Sequence, residues 1–126
     1  MLSVLHIENI AVIEQAEILF EGGFNVLTGE TGAGKSIVID SLSAVLGQRT
    51  SRDLIRTGAD KAYVSACFTG IPPEVGEDLG ITWDEELLLQ REIHADGKNV
   101  CRVGSRPVTV TQLRTLGSRL LNIHGQ

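Results

Sequence analysis

Cysteines, aromatic residues and long apolar runs are scarce in this sequence, and each shortage excludes a class of protein. Two cysteines, Cys67 and Cys101, are too few for a disulfide framework. No apolar run approaches the length of a membrane span, and the first residues lack the basic start of a signal peptide. Aromatic residues make up 4% of the 126 residues, so the core of this one domain must be mostly aliphatic. We therefore expect a soluble, reduced, cytoplasmic protein.

Acidic residues are absent from the last quarter of the chain. Residues 97–126 contain no Asp or Glu, although the whole chain has a net charge of −5. The basic residues there are Lys98, Arg102, Arg106, Arg114 and Arg119. This asymmetry suggests a side that faces a polyanion, and ordinary surface charge balanced by neighbours in the fold is an equally good interpretation.

Residues 29–36 match the phosphate-binding pattern G-x-x-x-x-G-K-[ST] without a mismatch. A polyphosphate requires many short-range donors, and backbone N–H groups supply them only where side chains are absent. Such a loop forms a nest of N–H groups at a helix N-terminus. Lys35 would reach the β- and γ-phosphates, and the Ser36 hydroxyl would bind Mg²⁺. The glycines that leave the backbone accessible are Gly29, Gly32 and Gly34.

The flanking segments place this pattern between a strand and a helix. Residues 24–28 are short, apolar and β-favouring, as expected of a buried parallel strand. After the pattern, apolar residues recur at helical spacing until Gly47, a natural helix end. They are Ile37, Val38, Ile39, Leu42, Val45 and Leu46. The alternative, a glycine-rich turn without a ligand, explains this context less well.

The pattern in the rest of the chain predicts short strands around the strand, phosphate loop and helix described above. Residues 2–8 and 11–20 read as two strands, which must be antiparallel because their connection is too short for a parallel crossover. Residues 63–69 form a strand, and residues 87–94 and 98–103 form a hairpin about Asp96-Gly97. The predicted fold is α/β: a mixed sheet around the phosphate-loop helix, with an antiparallel subdomain.

Three further local features complete the prediction. The polar segment 48–58 reads as a loop with one helical turn capped by Ser51, and residues 73–78 as a short helix or loop. Thr109 is expected to cap a helix that carries Val110, Leu113 and Leu116. Residues 120–124 read as a last buried strand.

The acid of a complete nucleotide-hydrolysing site is missing. No strand after the phosphate loop ends in the acid that usually completes the Mg²⁺ site. Ile37-Val38-Ile39-Asp40 has that appearance, but it lies within the predicted helix. The guanine-reading pattern N-K-x-D is also absent, which disfavours a GTPase. The sequence therefore predicts half of a hydrolytic site.

Four segments, residues 5–10, 27–36, 39–42 and 122–126, carry a resemblance that runs along the whole chain. They resemble the N-terminal head segment of the RecN family, bacterial double-strand-break repair proteins related to SMC proteins. The resemblance implies an ABC/SMC-type P-loop ATPase, with residues 1–126 as the N-terminal part of a split ATP-binding head. A coiled coil and a C-terminal head half would follow, and both are absent here. It also implies ATP and Mg²⁺ as cofactors, double-strand DNA ends as partner, and a homodimer with ATP between two heads.

The resemblance also assigns roles to individual residues. Gln126 occupies the position of the glutamine that senses Mg²⁺ and the attacking water, so it joins Lys35 as a catalytic residue and Ser36 as a metal ligand. From its own position at the end of the first strand, Asn9 would approach the adenine or ribose, or simply cap a turn. Arg56 lies where related heads carry an arginine near nucleotide and DNA. The full cofactor-binding set is Asn9, Gly29, Glu30, Thr31, Gly32, Ala33, Gly34, Lys35, Ser36, Ile37 and Arg56.

Several alternatives remain open. Arg49 and Arg52 share a loop with Arg56 and would contact a phosphate or a DNA backbone, or be solvated charges paired with Asp53 or Asp60. Arg91, Arg102 and Lys98 are better explained as exposed strand charge than as a DNA surface. The histidines and cysteines have no metal-ligand spacing. Other functions are a nucleotide-dependent assembly module that does not hydrolyse, and a small phosphotransferase, which lacks an evident lid.

Overall fold

The computed structural model describes residues 1–20 and 32–123, except for the side chains of residues 32–35, 122 and 123. Two helices lie in this part of the chain, α1 (Gly32–Val45) and α2 (Val110–Ile123). Short 3-10 turns occupy Arg52–Leu54 and Pro73–Leu79. The strands are β1 (Leu2–Ile10), β2 (Ile13–Leu19), β3 (Lys61–Thr69), β4 (Glu86–His94), β5 (Asn99–Val103) and β6 (Arg106–Val108).

The six strands form one sheet in the order β2-β1-β3-β4-β5-β6. Every pairing between these described strands is antiparallel. Side chains alternate strictly along β3 and β4, and one face of the sheet supplies apolar residues to a single core with α1 and α2. The other face is polar. A half-buried antiparallel sheet thus supports the phosphate-loop helix.

The predicted antiparallel elements are confirmed. β1 pairs with β2, and β4 with β5. The turn between β4 and β5 uses Asp96-Gly97 as expected: the Asp96 carboxylate accepts from the Lys98 N–H at 3.0 Å, and Gly97 has φ +95°. The α/β class is also confirmed. The predicted parallel strand, residues 24–28, lies outside the described residues, so the mixed character of the sheet stays a prediction.

The predicted last strand, residues 120–124, is wrong, because α2 continues to Ile123. Leu113, Leu116 and Leu120 are almost fully buried and recur at the spacing of one helix face. A short apolar run does not by itself distinguish a strand from the end of a helix. The start of α2 was predicted correctly: Thr109 Oγ1 accepts from the Gln112 N–H, and Gln112 accepts from the Thr109 N–H.

Two smaller differences concern the strands. β6 was not predicted, because it has three residues and contains Pro107, which strands tolerate only at an edge. In β1 the pairing with β3 shifts register between Leu2 and Val4. Leu2 is therefore buried on the same side as Leu5, whereas simple alternation had placed it with Val4.

The 3-10 turn Pro73–Leu79 is tied to two other elements. The Trp83 indole N–H donates to the Ile71 carbonyl at 2.9 Å, and its ring is so close to Gly76 that a Cβ there would lie 2.7 Å from it. Arg119 of α2 forms a bidentate ion pair with Asp78, at 2.6 and 3.0 Å. This pair, with the hydrogen bond from Arg119 to Asp78 as the main cause, lowers the pKa of the Asp78 carboxyl.

Candidate nucleotide-binding site

The predicted phosphate loop leads into the N-terminus of α1. Residues 32–35, which lie within the pattern, form the first turn of this 14-residue helix, and that turn contains no acidic residue. Ser36 follows and is exposed, while Ile37 is partly buried against the core. A glycine-rich helix start without a carboxylate suits a polyphosphate, because its free N–H groups and the helix dipole both favour an anion. Gly29, Glu30 and Thr31 lie outside the described residues.

The C-terminal end of α1 is capped at Gly47. The Gln48 N–H donates to the Ser43 carbonyl at 3.1 Å, and the Gly47 N–H to the Ala44 carbonyl at 3.0 Å. With Gly47 at φ +92°, these two bonds form a Schellman motif, which confirms the predicted helix end.

α2 crosses this end of α1 at very close range. A Cβ on Gly117 would lie 2.2 Å from the Leu46 carbonyl oxygen, and a Cβ on Gly47 would lie 2.4 Å from the Arg114 backbone. Arg114 Nε donates to the Gly47 carbonyl at 3.2 Å. The two glycines therefore let the helices make backbone contact, and α2 fixes the C-terminal end of the phosphate-loop helix.

A buried arginine lies beneath the same helix end. Arg91 of β4 is 3% exposed. Its Nη1 donates to the Ala44 carbonyl at 2.7 Å and to the Gln48 carbonyl at 2.6 Å, and its Nε donates to Asn99 Oδ1 at 3.0 Å. Burial disfavours the charged form of both Arg91 and the facing Cys101. It therefore lowers the pKa of Arg91 and raises the pKa of the Cys101 thiol. The expectation of an exposed strand charge is wrong for Arg91, because its alternation places it on the core face.

Asn9 and Arg56 lie side by side. The Arg56 N–H donates to the Asn9 carbonyl at 2.8 Å, and the Ala11 N–H donates to the Leu54 carbonyl at 2.7 Å. Asn9 (φ 56°) and Ala11 (φ 53°) both adopt the left-handed conformation, which is strained for alanine in particular. Such strain persists only where neighbouring contacts impose it, and it occurs often at ligand sites. The nucleotide contacts assigned to Asn9 and Arg56 stay predictions.

The loop arginines are accessible to solvent. Arg49 and Arg52 are exposed, and Arg52 Nη1 donates to the Ala95 carbonyl at 3.3 Å. Ser51 caps the turn Arg52–Leu54, as predicted, by accepting from the Asp53 N–H. Among the described residues, none of the ion pairs includes either arginine. A cleft of about 400 Å³ separates this loop from α1, lined by Asp40, Ser43, Arg49, Thr50, Ser51 and Asp53.

The polar face of the sheet carries an ionic network centred on Glu92. Its carboxylate lies 3.0 Å from His94 Nε2 and 3.7 Å from both Lys61 Nζ and Arg102 Nη1. Burial alone would raise the pKa of Glu92, but the hydrogen bond from His94 and the nearby positive charges outweigh it and lower that pKa. In the part of the chain that the structure describes, no group of His, Cys, Asp and Glu side chains could hold a metal ion.

The structure does not describe the remaining predicted site residues. His124 and Gln126 lie outside the described residues, so the placement of the predicted Mg²⁺-sensing glutamine stays a prediction. Sequence reasoning missed Arg91 as a part of this region. The signal that could have found it was the alternation of β4, in which Arg91 shares the parity of Leu87, Leu89 and Ile93.

Comparisons with known proteins agree with this arrangement. The AAA domain family matches residues 4–100. The DNA repair protein RecN of Bacillus subtilis is 44% identical over the whole chain, which spans 23% of that protein's length. The resemblance to RecN predicted from the sequence is therefore confirmed. The chain covers about a quarter of the length of such relatives.

Solved structures show the same fold. A chain from a study of ATP-driven dimerization and DNA-stimulated activation of SMC ATPases has a TM-score of 0.75 at 23% identity, over 95% of this chain and 79% of that one. The Smc head domain of Pyrococcus furiosus, solved with an extended coiled coil, has a TM-score of 0.72 at 22% identity, over 95% of this chain and 33% of that one. The fold is thus that of an SMC-type head. No helix in the described residues is long and apolar enough to cross a membrane.

Proposed function

Because the chain belongs to the AAA domain family, we propose that it is the ATP-binding N-terminal half of a RecN-like, SMC-type ATPase head that acts in double-strand-break repair. The observation that carries the proposal is the match to the DNA repair protein RecN along the whole chain, phosphate-loop pattern included. A nucleotide-dependent assembly module without hydrolysis is less favoured, because it does not account for that match.

The chain's own residues have defined tasks in this proposal. Residues 29–35 hold the phosphates through backbone N–H groups, Lys35 contacts the β- and γ-phosphates, and Ser36 and Gln126 hold Mg²⁺. Asn9 contacts the base or ribose, and Arg56, which lies beside it, contacts the phosphates. The bound metal supplies positive charge where charge develops during phosphoryl transfer.

The rest of the function lies in partners of this segment. Hydrolysis requires a C-terminal head half, which supplies the missing acid, and a second head across the nucleotide. DNA ends bind to the assembled protein, and basic residues such as Arg49, Arg52 and Arg56 contribute contacts to the DNA backbone. We place the protein in the cytoplasm, associated with the nucleoid.

The test is a titration of the 126-residue chain with Mg-ATP, comparing wild type with Lys35→Ala. Removing the ammonium group from the β- and γ-phosphates should abolish measurable binding. Lys98→Ala, in the exposed β4–β5 turn, is the matched control and should bind as wild type does. Equal binding by wild type and Lys35→Ala would contradict the assigned phosphate site.

A further inference from the structure

We propose that Arg91 is a positioning residue for the nucleotide site, which it serves by fastening the C-terminal end of the phosphate-loop helix to the antiparallel sheet. The inference rests on the proposed function. Arg91 belongs to β4 and reaches across the core to two carbonyl oxygens at and beyond the end of α1. Neither the phosphate-loop pattern nor the resemblance assigns it a role.

The positive charge of Arg91 is buried in the core. Arg91 is 3% exposed, and none of the ion pairs among the described residues includes it. A buried cation without a carboxylate is costly, so its compensation must come from neutral acceptors. Here the compensation comes from the Ala44 and Gln48 carbonyls and from Asn99. The negative end of the α1 dipole adds to it.

The three acceptors of Arg91 belong to three different parts of the fold. Ala44 lies in the last turn of α1, Gln48 begins the loop that carries Arg49, Arg52 and Arg56, and Asn99 begins β5. One guanidinium group thus joins the phosphate-loop helix, the loop that follows it and the β4–β5 hairpin. A planar group with several fixed donors suits this task, whereas a lysine has only one donor atom.

Arg91 contacts α1 at the end opposite to the predicted phosphate site. Ala44 is nine residues from Lys35, so that the contact lies about 14 Å from the phosphate-binding end. A helix of this length moves as a rigid rod, and a displacement at its C-terminal end changes where its first N–H groups point. Small misplacements far from the ligand can cost large factors in binding or rate.

The experiment compares Arg91→Met, Arg91→Lys and wild type in the 126-residue chain. Met keeps the apolar stem but removes the charge and all donors. We expect Arg91→Met to lose at least about tenfold in Mg-ATP affinity, and Arg91→Lys to recover part of it. Arg102→Met is the matched control, because Arg102 lies on the neighbouring strand but on the polar face, and its affinity should be unchanged.

A second measurement separates positioning from folding. Thermal unfolding of each variant is recorded without nucleotide, and affinity is measured well below the lowest midpoint, where the unfolded fraction is negligible. Arg91→Met leaves the Ala44 and Gln48 carbonyls and Asn99 Oδ1 without this donor, which should lower the midpoint, but affinity is compared where every variant is folded. A loss of affinity under these conditions is therefore not a loss of folded protein.

The outcomes are distinguishable. If wild type and Arg91→Met bind Mg-ATP equally, the positioning role is wrong and the nucleotide site stands. If the affinity of all variants simply follows their stability, Arg91 is structural only and the proposal is overturned. If wild type does not bind Mg-ATP at all, the proposed function itself fails.

Discussion

Glu92 shows how a single carboxylate organises the polar face of the sheet. It is the shared partner of Lys61, His94 and Arg102, which reach it from three different strands. Surface ion pairs contribute little one at a time, but a group that is only 20% exposed and lies close to Lys61, Arg102 and a histidine contributes more. The lowered pKa of Glu92 reports that its ionised form is favoured in the folded protein.

This lowered pKa predicts a pH dependence of stability. A carboxyl group whose pKa is lower in the folded state stabilises the protein at a pH above its unfolded-state pKa, which is about 4.3 for Glu. That contribution is lost as the pH falls through the folded-state pKa. We expect Glu92→Gln to lower the free energy of unfolding by about 0.5 to 1 kcal/mol at pH 7. The difference from wild type should disappear near pH 3.

Urea denaturation at both pH values measures this effect. Glu14→Gln, at an exposed position on β2, is the control and should change little at either pH. A difference that persists unchanged at low pH would contradict the assignment, because a protonated Glu92 no longer distinguishes wild type from glutamine.

At the scale of elements, the contact between α1 and α2 is the most sensitive to substitution. The backbone of α2 at Gly117 touches the Leu46 carbonyl, so an added methyl group has no space. Gly117→Ala must push the helices apart, and we expect it to destabilise the chain by about 1 to 3 kcal/mol although alanine favours a helix.

Chemical denaturation of Gly117→Ala and Ser118→Ala provides the comparison. Ser118 is exposed on the same helix, and its replacement should leave stability unchanged or slightly raised. A Gly117→Ala variant as stable as wild type would show that the two helices do not make this backbone contact.

The elements predicted well are those whose signals are local. Gly47 ends α1, Asp96-Gly97 turns the hairpin and Thr109 starts α2, because each residue acts through its own backbone conformation or a cap within three residues. The end of α2 was missed because the apolar run after Leu120 satisfies a strand and a helix equally. The alternation of β4 could have indicated the burial of Arg91, but its backbone acceptors could not be predicted because they lie 43 and 47 residues away along the chain.

At the scale of the whole molecule, the chain is expected to bind nucleotide without turning it over. The acid that would complete the Mg²⁺ site is missing from the sequence pattern, and the chain spans about a quarter of the length of its relatives. Catalysis of phosphoryl transfer depends on complete positioning of phosphates, metal and water. We expect negligible ATP turnover by the chain alone.

A phosphate-release assay on the purified chain tests this prediction, with Lys35→Ala measuring contaminating ATPase. Adding the C-terminal head half of a RecN relative should raise turnover above that background. Turnover by the wild-type chain alone that Lys35→Ala abolishes would contradict the prediction, because a half-site would then suffice.

The type of site could be predicted from the sequence, but the residues that surround it could be predicted only in part. The phosphate loop is a contiguous pattern, and its mechanism explains every residue type in it. The neighbouring positions of Asn9 and Arg56 depend on backbone bonds between the β1–β2 turn and the segment 54–56, which no local pattern contains. Long-range pairing of this kind depends on the assembled sheet.

The environment of Trp83 has a practical consequence. Trp83 is the single tryptophan of the chain, and its indole is hydrogen-bonded and packed on Gly76. Its intrinsic fluorescence should therefore shift to longer wavelength when that packing opens, without any label or added dye. Every stability measurement suggested above can be read from this one emission band.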